Sequence, residues 1–403
     1  MTNLPQGWEV KTLSEIGEIV TGSTPSKSNL DFYGKDYPFF KPSDFEQGYF
    51  LENAGDNLSK LGFGKARQLP PKTILVVCIG SLGKVALTKV IGSCNQQINA
   101  IIPHKNIISE YIYYYCISSK FQSILFSKAP QTTLAILNKT EFSKLEIIYP
   151  KDIKEQERIV GILDFAFSKI DENIKKAKEN LANIDELMQS ALQKAFNPLN
   201  DNTKENYQLP QSWEWKSLGD TSNYGKASQV KPSQLKGNDW ILELEDIEKE
   251  SGVLLQKVLF QDRQSKSNKI KFNKGDILFG TLRPYLKKVI IADDNGACSS
   301  EIMPFSTGNS ITNHFIYYYL FANFLHDRIS SLTYGARMPR LGTKDGKSLQ
   351  IPLPPLQEQE QIAEHLDFVF EKAKALKELY TKELKDYEEL KQSLLDKAFK
   401  GEL

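Results

Sequence analysis

The chain is written twice. The segment LPQGWEVKTL at Leu4–Leu13 returns as LPQSWEWKSL at Leu209–Leu218, and EQERIVGILDFAF at Glu155–Phe167 returns as EQEQIAEHLDFVF at Glu358–Phe370. QSALQKAF at Gln189–Phe196 returns in turn as QSLLDKAF at Gln392–Phe399. The period is half of a 403-residue chain. Solenoid units run only to roughly 20–50 residues, so this is a duplicated domain pair, an internal repeat with pseudo-twofold character. Whatever one half does, such a molecule is equipped to do twice.

A hydrophobic share of 40% is enough for two real cores, and 25% charged residues is ordinary for a soluble protein. No apolar run approaches the roughly 18 residues of a membrane span. The opening MTNLPQGWEV lacks the basic and apolar regions of a signal peptide. The four cysteines, Cys78, Cys94, Cys116 and Cys298, form no CxxC pair, and a reduced cytoplasm is the expected location. Net charge is only +1. The globular segments lean slightly basic and the helical ones slightly acidic, a bias too mild to identify a nucleic-acid binder alone.

Both halves keep one order of parts. After the Trp8 or Trp213 opening come LPPKTILVVCIGSLGKVALTKV and FNKGDILFGTLRPYLKKVIIAD, each a strand, a glycine or proline turn and another strand. The aromatic runs Tyr111–Leu125 and Phe315–Ile329 read as buried helices. A turn-rich stretch then ends in a short strand closed by Pro150 in one copy and by Pro352, Pro354 and Pro355 in the other. Beyond each proline a helix is predicted. Ile170, Ile174, Ala177, Leu181, Ile184, Met188, Ala191 and Ala195 step by alternate fours and threes, a heptad seam. Ala373, Leu376, Tyr380, Leu384, Tyr387, Leu390, Leu394 and Ala398 form a second. A helix over 153–196 would be roughly 65 Å long. The predicted fold is therefore α+β. Mixed α/β domains at 1–150 and 209–354 are joined by helices at 151–196 and 355–403, which pair as an antiparallel coiled coil, with a polar linker at 197–208.

Catalytic motifs fail on inspection. GSLGK at Gly80–Lys84 lacks the glycine and hydroxyl of a phosphate loop, since Cys78 and Val85 stand there. DGKS at Asp345–Ser348 has Leu341 where the first glycine belongs. His104, His314, His326 and His365 have no metal spacing. Glu9-x-Lys11 and Glu214-x-Lys216 match the tail of a metal-dependent nuclease signature, but no acidic residue precedes Glu9. Binding is a better expectation than catalysis.

Five features together carry a resemblance: the LPxxWxxxxL openings at Leu4 and Leu209; the GDIL strand at Gly275–Leu278, with Lys72–Leu75 as its counterpart; GARMPRL at Gly335–Leu341; IPLPPLQEQEQIAEHLD at Ile351–Asp367; and KAFxGEL at Lys397–Leu403. The whole chain resembles the specificity (S) subunit of type I restriction–modification enzymes. The first copy departs in detail, with KTIL for GDIL and IIYPKDIKEQE for IPLPPLQEQE. The resemblance implies two target-recognition domains, each reading half of a bipartite site in double-stranded DNA, spaced by the paired helices. It further implies two methyltransferase subunits as partners and motor–nuclease restriction subunits as further ones. The chain itself would be non-catalytic and hold no cofactor, with S-adenosylmethionine on the methyltransferase partners. Two rivals are a coiled-coil scaffold whose domains bind ligands other than DNA, and a fragment of a fused restriction–methylation enzyme. Missing catalytic motifs count against the fragment.

Base readout calls for bidentate donors on loops that enter the major groove. In the second domain the candidates are Arg337 and Arg340, with Tyr334 beside them, then Arg283 and Lys287 in TLRPYLKK. In the first domain Gln131, Thr132 and Thr133 occupy the place of GARMPR, and Lys84 is expected near the counterpart of Arg283. Gln96 and Gln97 complete the set.

Overall fold

The computed structural model describes residues 4–129, 135–199, 208–263 and 265–403. They fall into two compact units, Met1–Ala177 with Lys382–Leu403, and Lys178–Thr381. Each unit therefore combines one globular domain with segments of both long helices.

In the first unit the expected strand–turn–strand is the Ile74–Val77 and Val85–Thr88 pair, antiparallel with Val76 opposite Val85. It lies inside a five-stranded sheet whose strand order is Gly17–Thr21, Ile98–Pro103, Ile74–Val77, Val85–Thr88, Phe50–Leu51. All four residues of Ile74–Val77 are buried, as an unbroken β-branched and aliphatic run requires of a central strand. The second unit repeats the motif with Ile277–Gly280 between Val289–Ile291 and Ile302–Phe305. Beside it is a four-stranded sheet in the order Gln229–Val230, Lys269–Phe272, Gly296–Cys298, Trp240–Leu242. The turn into the central strand needs a left-handed residue. Gly275 supplies it in the second copy at φ 92°, and Lys72 takes the same place in the first at φ 63°. Such a conformation costs a non-glycine residue about 1 kcal/mol.

The opening strands pair with the strands that close each domain, Trp8–Thr12 with Glu146–Pro150 and Glu214–Ser217 with Gln350–Leu353. The two Glu-x-Lys pairs lie on these strands. Glu9 accepts a 2.5 Å bond from Tyr149 and pairs with Lys151, and Glu214 pairs with its neighbour Lys216 at 3.3 Å. They form partly exposed strand faces. The aromatic runs are core, as expected: Tyr111, Tyr114 and Tyr115 are buried in the first unit, Phe315, Tyr318 and Tyr319 in the second.

The long helices are Ile153–Phe196, of 44 residues, and Leu356–Ala398, of 43. Their repeated motifs each have a local cause. The Gln of EQE is fully buried in both copies. Gln156 Nε2 donates to Pro150 O at 2.9 Å and Asn106 O at 3.3 Å, and its Oε1 accepts from Ile108 N at 2.9 Å. Gln359 repeats the set with Pro354 O at 2.8 Å, Ser310 O at 3.0 Å and Thr312 N at 2.9 Å. A buried amide left unpaired costs about 1–3 kcal/mol, so this glutamine fixes where the helix leaves the domain. The Asp of LDF follows suit: Tyr114 donates to Asp164 at 2.6 Å, and Tyr318 to Asp367.

The KAF end has the opposite allegiance. Phe399, just past the end of the second helix, enters the first unit's core, its ring 4.9 Å from Tyr115 and 5.5 Å from Tyr111. Phe196 of the first helix enters the second unit's core, 5.1 Å from both Phe315 and Tyr319. Each globular core is thus closed by the tail of the helix that begins at the other.

Within each unit the helix segments run antiparallel. Asp171 meets Lys391, and Arg158 donates to Leu403 O at 2.7 Å, in the first. In the second, Ile184 and Met188 pack with Ala373, Phe370 and Tyr380, and Asp185 meets Lys377. The first helix keeps its expected seam, since none of the eight residues is exposed. On the second helix the seam is corrected at two places. Leu376 and Leu390 are 41% and 46% exposed, and Lys377 and Lys391 stand on the seam instead. Ala373, Lys377, Tyr380, Leu384, Tyr387, Lys391, Leu394 and Ala398 alternate fours and threes throughout, so the expected seam was off by one residue at two turns. The lysine stems cover apolar surface while their ammoniums reach aspartates, and Lys391 also lies 5.4 Å from the Phe167 ring. Charged seam positions of this kind set register at some expense in stability.

Candidate nucleic-acid interface

In the second unit the structure gathers three loops at one end of the Ile277–Gly280 strand. GARMPR forms the tip of a hairpin between Thr333–Tyr334 and Arg340–Leu341. The TLRPYLKK turn is fastened to it: Arg283 N donates to Pro339 O at 2.7 Å, Leu341 N donates to Thr281 O at 2.9 Å, and Leu282 bridges Arg340. The third loop is Ser299–Glu301, whose Ser300 O accepts from Arg340 Nη2 at 2.7 Å. Arg337, Tyr334 and Arg283 are exposed. Among the described residues neither the Arg283 nor the Arg337 guanidinium has a hydrogen-bond or ion-pair partner. Arg340 is half-buried and committed to Ser300, which makes it a brace for the hairpin.

Arg283 has a left-handed backbone, φ 49° and ψ 55°. Its place in the first copy is taken by Gly80, at φ 82°. The glycine shows what the backbone prefers there, and the arginine bears about 1 kcal/mol for a side chain at that spot. Tyr285 and Met338, 49% and 54% exposed, flank the same surface. Sequence reading missed both. The proline after Arg283, which marks Tyr285 as a turn residue, was the one signal; nothing in the sequence marks Met338 as exposed.

The first unit builds the same frame. Gly80 N donates to Ala135 O at 3.2 Å, Ile79 bridges Ile136, and Leu137 N donates to Cys78 O at 2.9 Å. Gln131, Thr132 and Thr133 lie outside the described residues. Gln97 and Gln96 occupy the place of Glu301 and Ser300. Gln97 is half-buried, accepts from Asn95 at 2.8 Å and donates to Ile79 O at 3.4 Å. Gln96 is exposed and accepts from Thr24.

One expectation is refined and one needs correction. Lys84 is paired with Glu46, and Val77 N donates to Lys84 O at 2.9 Å just as Gly280 N donates to Lys288 O at 2.8 Å. Its counterpart is therefore Lys288, and the Arg283 place belongs to Gly80. Lys287 is only 6% exposed, and its ammonium donates to Phe321 O at 3.0 Å and to Asn323 Oδ1. Those acceptors lie in and just beyond the short connection between the Asn313–Tyr319 and Asn323–Leu332 helices. Lys287 is spent inside the fold, and burial lowers its pKa.

Beside it His326 is buried, with Nε2 2.6 Å from Leu320 O. Burial pulls its pKa from 6.5 down to about 4, aided by Lys287. The folded state thus resists a proton that the unfolded chain accepts. Stability attributable to His326 is whole above about pH 6.5 and is lost as pH falls towards 4, by roughly 3 kcal/mol. Urea unfolding of wild type and His326→Gln at pH 7, 5.5 and 4.5 checks this: the gap between the two should change with pH. Parallel curves would refute a neutral buried imidazole.

No helix among the described residues is long and apolar enough to cross a membrane. Nor do the described residues contain three or more His, Cys, Asp or Glu placed to hold a metal. Each unit thus carries a like loop frame, with Gly80 at the place in the first that Arg283 holds in the second. The chain belongs to the type I restriction–modification DNA specificity domain family, whose model matches residues 5–183 and again 210–385. It is 39% identical over 176 residues to the HindI specificity subunit of Haemophilus influenzae, covering 42% of this chain and 38% of that one. To the MjaIX specificity subunit of Methanocaldococcus jannaschii it is 29% identical, covering 54% of this chain and 52% of the relative. The chain thus spans about half or less of the length of these two relatives. Against the EcoDI specificity subunit of Escherichia coli the match is 23% identical and covers 99% of this chain and 89% of the relative. The fold is likewise that of a solved chain from work on complex assembly and conformational transition of the type I R-M system. That match has a TM-score of 0.80 at 20% identity, over 100% of both chains. The HsdS subunit from Thermoanaerobacter tengcongensis gives 0.55 at 20% identity, over 99% of this chain and 98% of the other.

Proposed function

We propose that this chain is the non-catalytic DNA-reading subunit of a type I restriction–modification complex in the cytoplasm, each domain recognising one half of a bipartite duplex site. One observation carries the reading. The loop frame bridged by Ile79–Ile136 is rebuilt at Leu282–Arg340 with different side chains on it, glycine in one copy and an unpaired arginine in the other. One scaffold with two distinct faces is what reading two different half-sites requires.

The helices favour two like partners. Phe165 and Phe368 hold matching places in the repeat and are 70% and 59% exposed, though both helices are otherwise largely charged on their outer faces. Leu187 and Leu390 form a second exposed pair. Apolar residues kept exposed in both copies suit docking of one methyltransferase subunit on each, with S-adenosylmethionine held by those subunits. Motor–nuclease restriction subunits would join the same assembly. Helices of this length also suit a spacer between half-sites, since one turn of B-DNA is roughly 34 Å.

The test is co-expression with a methyltransferase subunit of the family, followed by sequencing of methylated bases. The expected product is a two-part motif. Deleting one matched heptad from both helices removes roughly 10 Å of rise, about three base pairs of spacer. A continuous motif, or an unchanged spacer in an active deletion variant, would contradict the reading.

A further inference from the structure

The strand order of the second unit leaves Gln229–Val230 at the edge of its sheet, paired on one side only, with Lys269–Phe272. The two stretches that meet there are rich in lysine and contain no acidic residue. Residues 221–238 hold Lys226, Lys231 and Lys236 without an Asp or Glu, and residues 265–275 hold Lys266, Lys269, Lys271 and Lys274 without one. Register sets them side by side. Val230 is opposite Lys269, Gln229 is opposite Ile270, and Lys271 N donates to Ser228 O at 2.9 Å. Continued outward, this antiparallel ribbon places Lys226 towards the Lys274 end and Lys231 towards the Lys266 end. The strands of such a ribbon are about 4.8 Å apart, and Lys226 to Lys231 spans at most about 17 Å.

The buried member of the group shows what the others lack. Lys269 is 2% exposed and pairs with Glu243 at 3.0 Å. Lys226, Lys231, Lys266, Lys271 and Lys274 are all exposed, and among the described residues none has an ion-pair partner. The first copy has no equal. Its matching stretches include Glu18 and Asp31, and the Arg67 guanidinium there donates to Thr21 O at 2.6 Å. Five exposed ammoniums on and beside this short ribbon, with no carboxylate paired to them, give the edge a locally positive field that favours a polyanion. Flexible lysines present point charges suited to phosphate oxygens rather than to a base edge. About 17 Å of duplex axis carries roughly ten phosphates, enough for every lysine in the ribbon.

We infer that this edge ribbon is a phosphate-contacting surface that seats the second domain on duplex DNA, separate from the loops around Arg283 and Arg337. The inference rests on the DNA-reading function proposed above. It predicts a lopsided molecule, in which sequence-independent affinity comes mostly from the second half.

The experiment uses the full chain assembled with its methyltransferase subunits. Binding to duplexes with and without the methylated motif is measured between 50 and 200 mM salt, for wild type, the Lys226→Gln/Lys231→Gln/Lys271→Gln variant and the corresponding triple Lys→Arg variant. The slope of log K against log salt should be shallower by up to about 2.7 in the glutamine variant, from three lost contacts. Affinity should fall alike on both duplexes, the methylated motif should stay the same, and the arginine variant should keep the wild-type slope. Matching thermal melts confirm that the exposed substitutions leave the fold intact. A glutamine variant with wild-type slope and affinity overturns the ribbon assignment alone. So does a changed base preference, which would make the ribbon a base reader. Wild-type complex that binds no duplex overturns the DNA-reading function itself, and the ribbon assignment with it.

Discussion

Replacing Phe196 by alanine is expected to cost the second unit about 3–5 kcal/mol of stability, the usual loss for a large aromatic removed from a packed core. The side chain is fully buried, and two rings lie 5.1 Å from it. Neither Phe315 nor Tyr319 can collapse into the space easily, because both are on the same short helix Asn313–Tyr319. Phe196→Leu should recover most of the loss, since it retains the apolar volume. Urea unfolding reads both values. A loss below about 1 kcal/mol would mean that the helix end merely lies on the domain and does not close its core.

Arg337→Ala is expected to weaken binding at one half-site by about 1–3 kcal/mol and to relax base preference there while leaving the other half-site unchanged. Its guanidinium is at the tip of the hairpin with no partner inside the fold, so removing it leaves no buried charge uncompensated. Arg283→Ala should act on the same half-site. The hairpin and the turn are joined through Arg283 N to Pro339 O at 2.7 Å, so the double variant should not be additive. Lys287→Ala should behave otherwise, lowering stability before selectivity, because that ammonium is hydrogen-bonded inside the domain. Sequencing of methylated bases with each variant separates the two outcomes. An unchanged motif and rate with Arg337→Ala would remove this hairpin from the reading surface.

Much of the architecture was legible because it was duplicated. The heptad period, the proline exits and the EQE, LDF and KAF motifs appear twice, and each has a cause of its own in the fold: a buried amide, a tyrosine–carboxylate bond, a core-filling ring. The phase of the second seam was not legible. Leucine at 376 or 390 is the natural choice for a seam, and only the aspartates at 185 and 171 on the facing helix explain why lysine takes that role. The candidate site divided in the same way. Arg337, Arg283 and Tyr334 were chosen from residue type and turn chemistry, and the structure places all three exposed on two loops joined by the Arg283 N to Pro339 O bond. Lys287 looked identical in sequence to a DNA-facing lysine. Its burial depends on a helix end more than thirty residues away, which no local pattern discloses. Lys84 shares its turn with Gly80, and its own place is that of Lys288, since the turn is one residue longer in the second copy.

The exchange of helix tails bears on how the protein is made. The first domain leaves the ribosome early, yet its hydrophobic cluster includes Leu395, Ala398 and Phe399. Until residues 395–399 are translated, Tyr111 and Tyr115 lack the Phe399 ring and the domain remains open on that side. The second domain has its own plug, Phe196, already synthesised before its strands begin. The half that is made first is therefore the half that finishes last, and a chain arrested before residue 382 would carry one closed domain and one with an exposed aromatic wound.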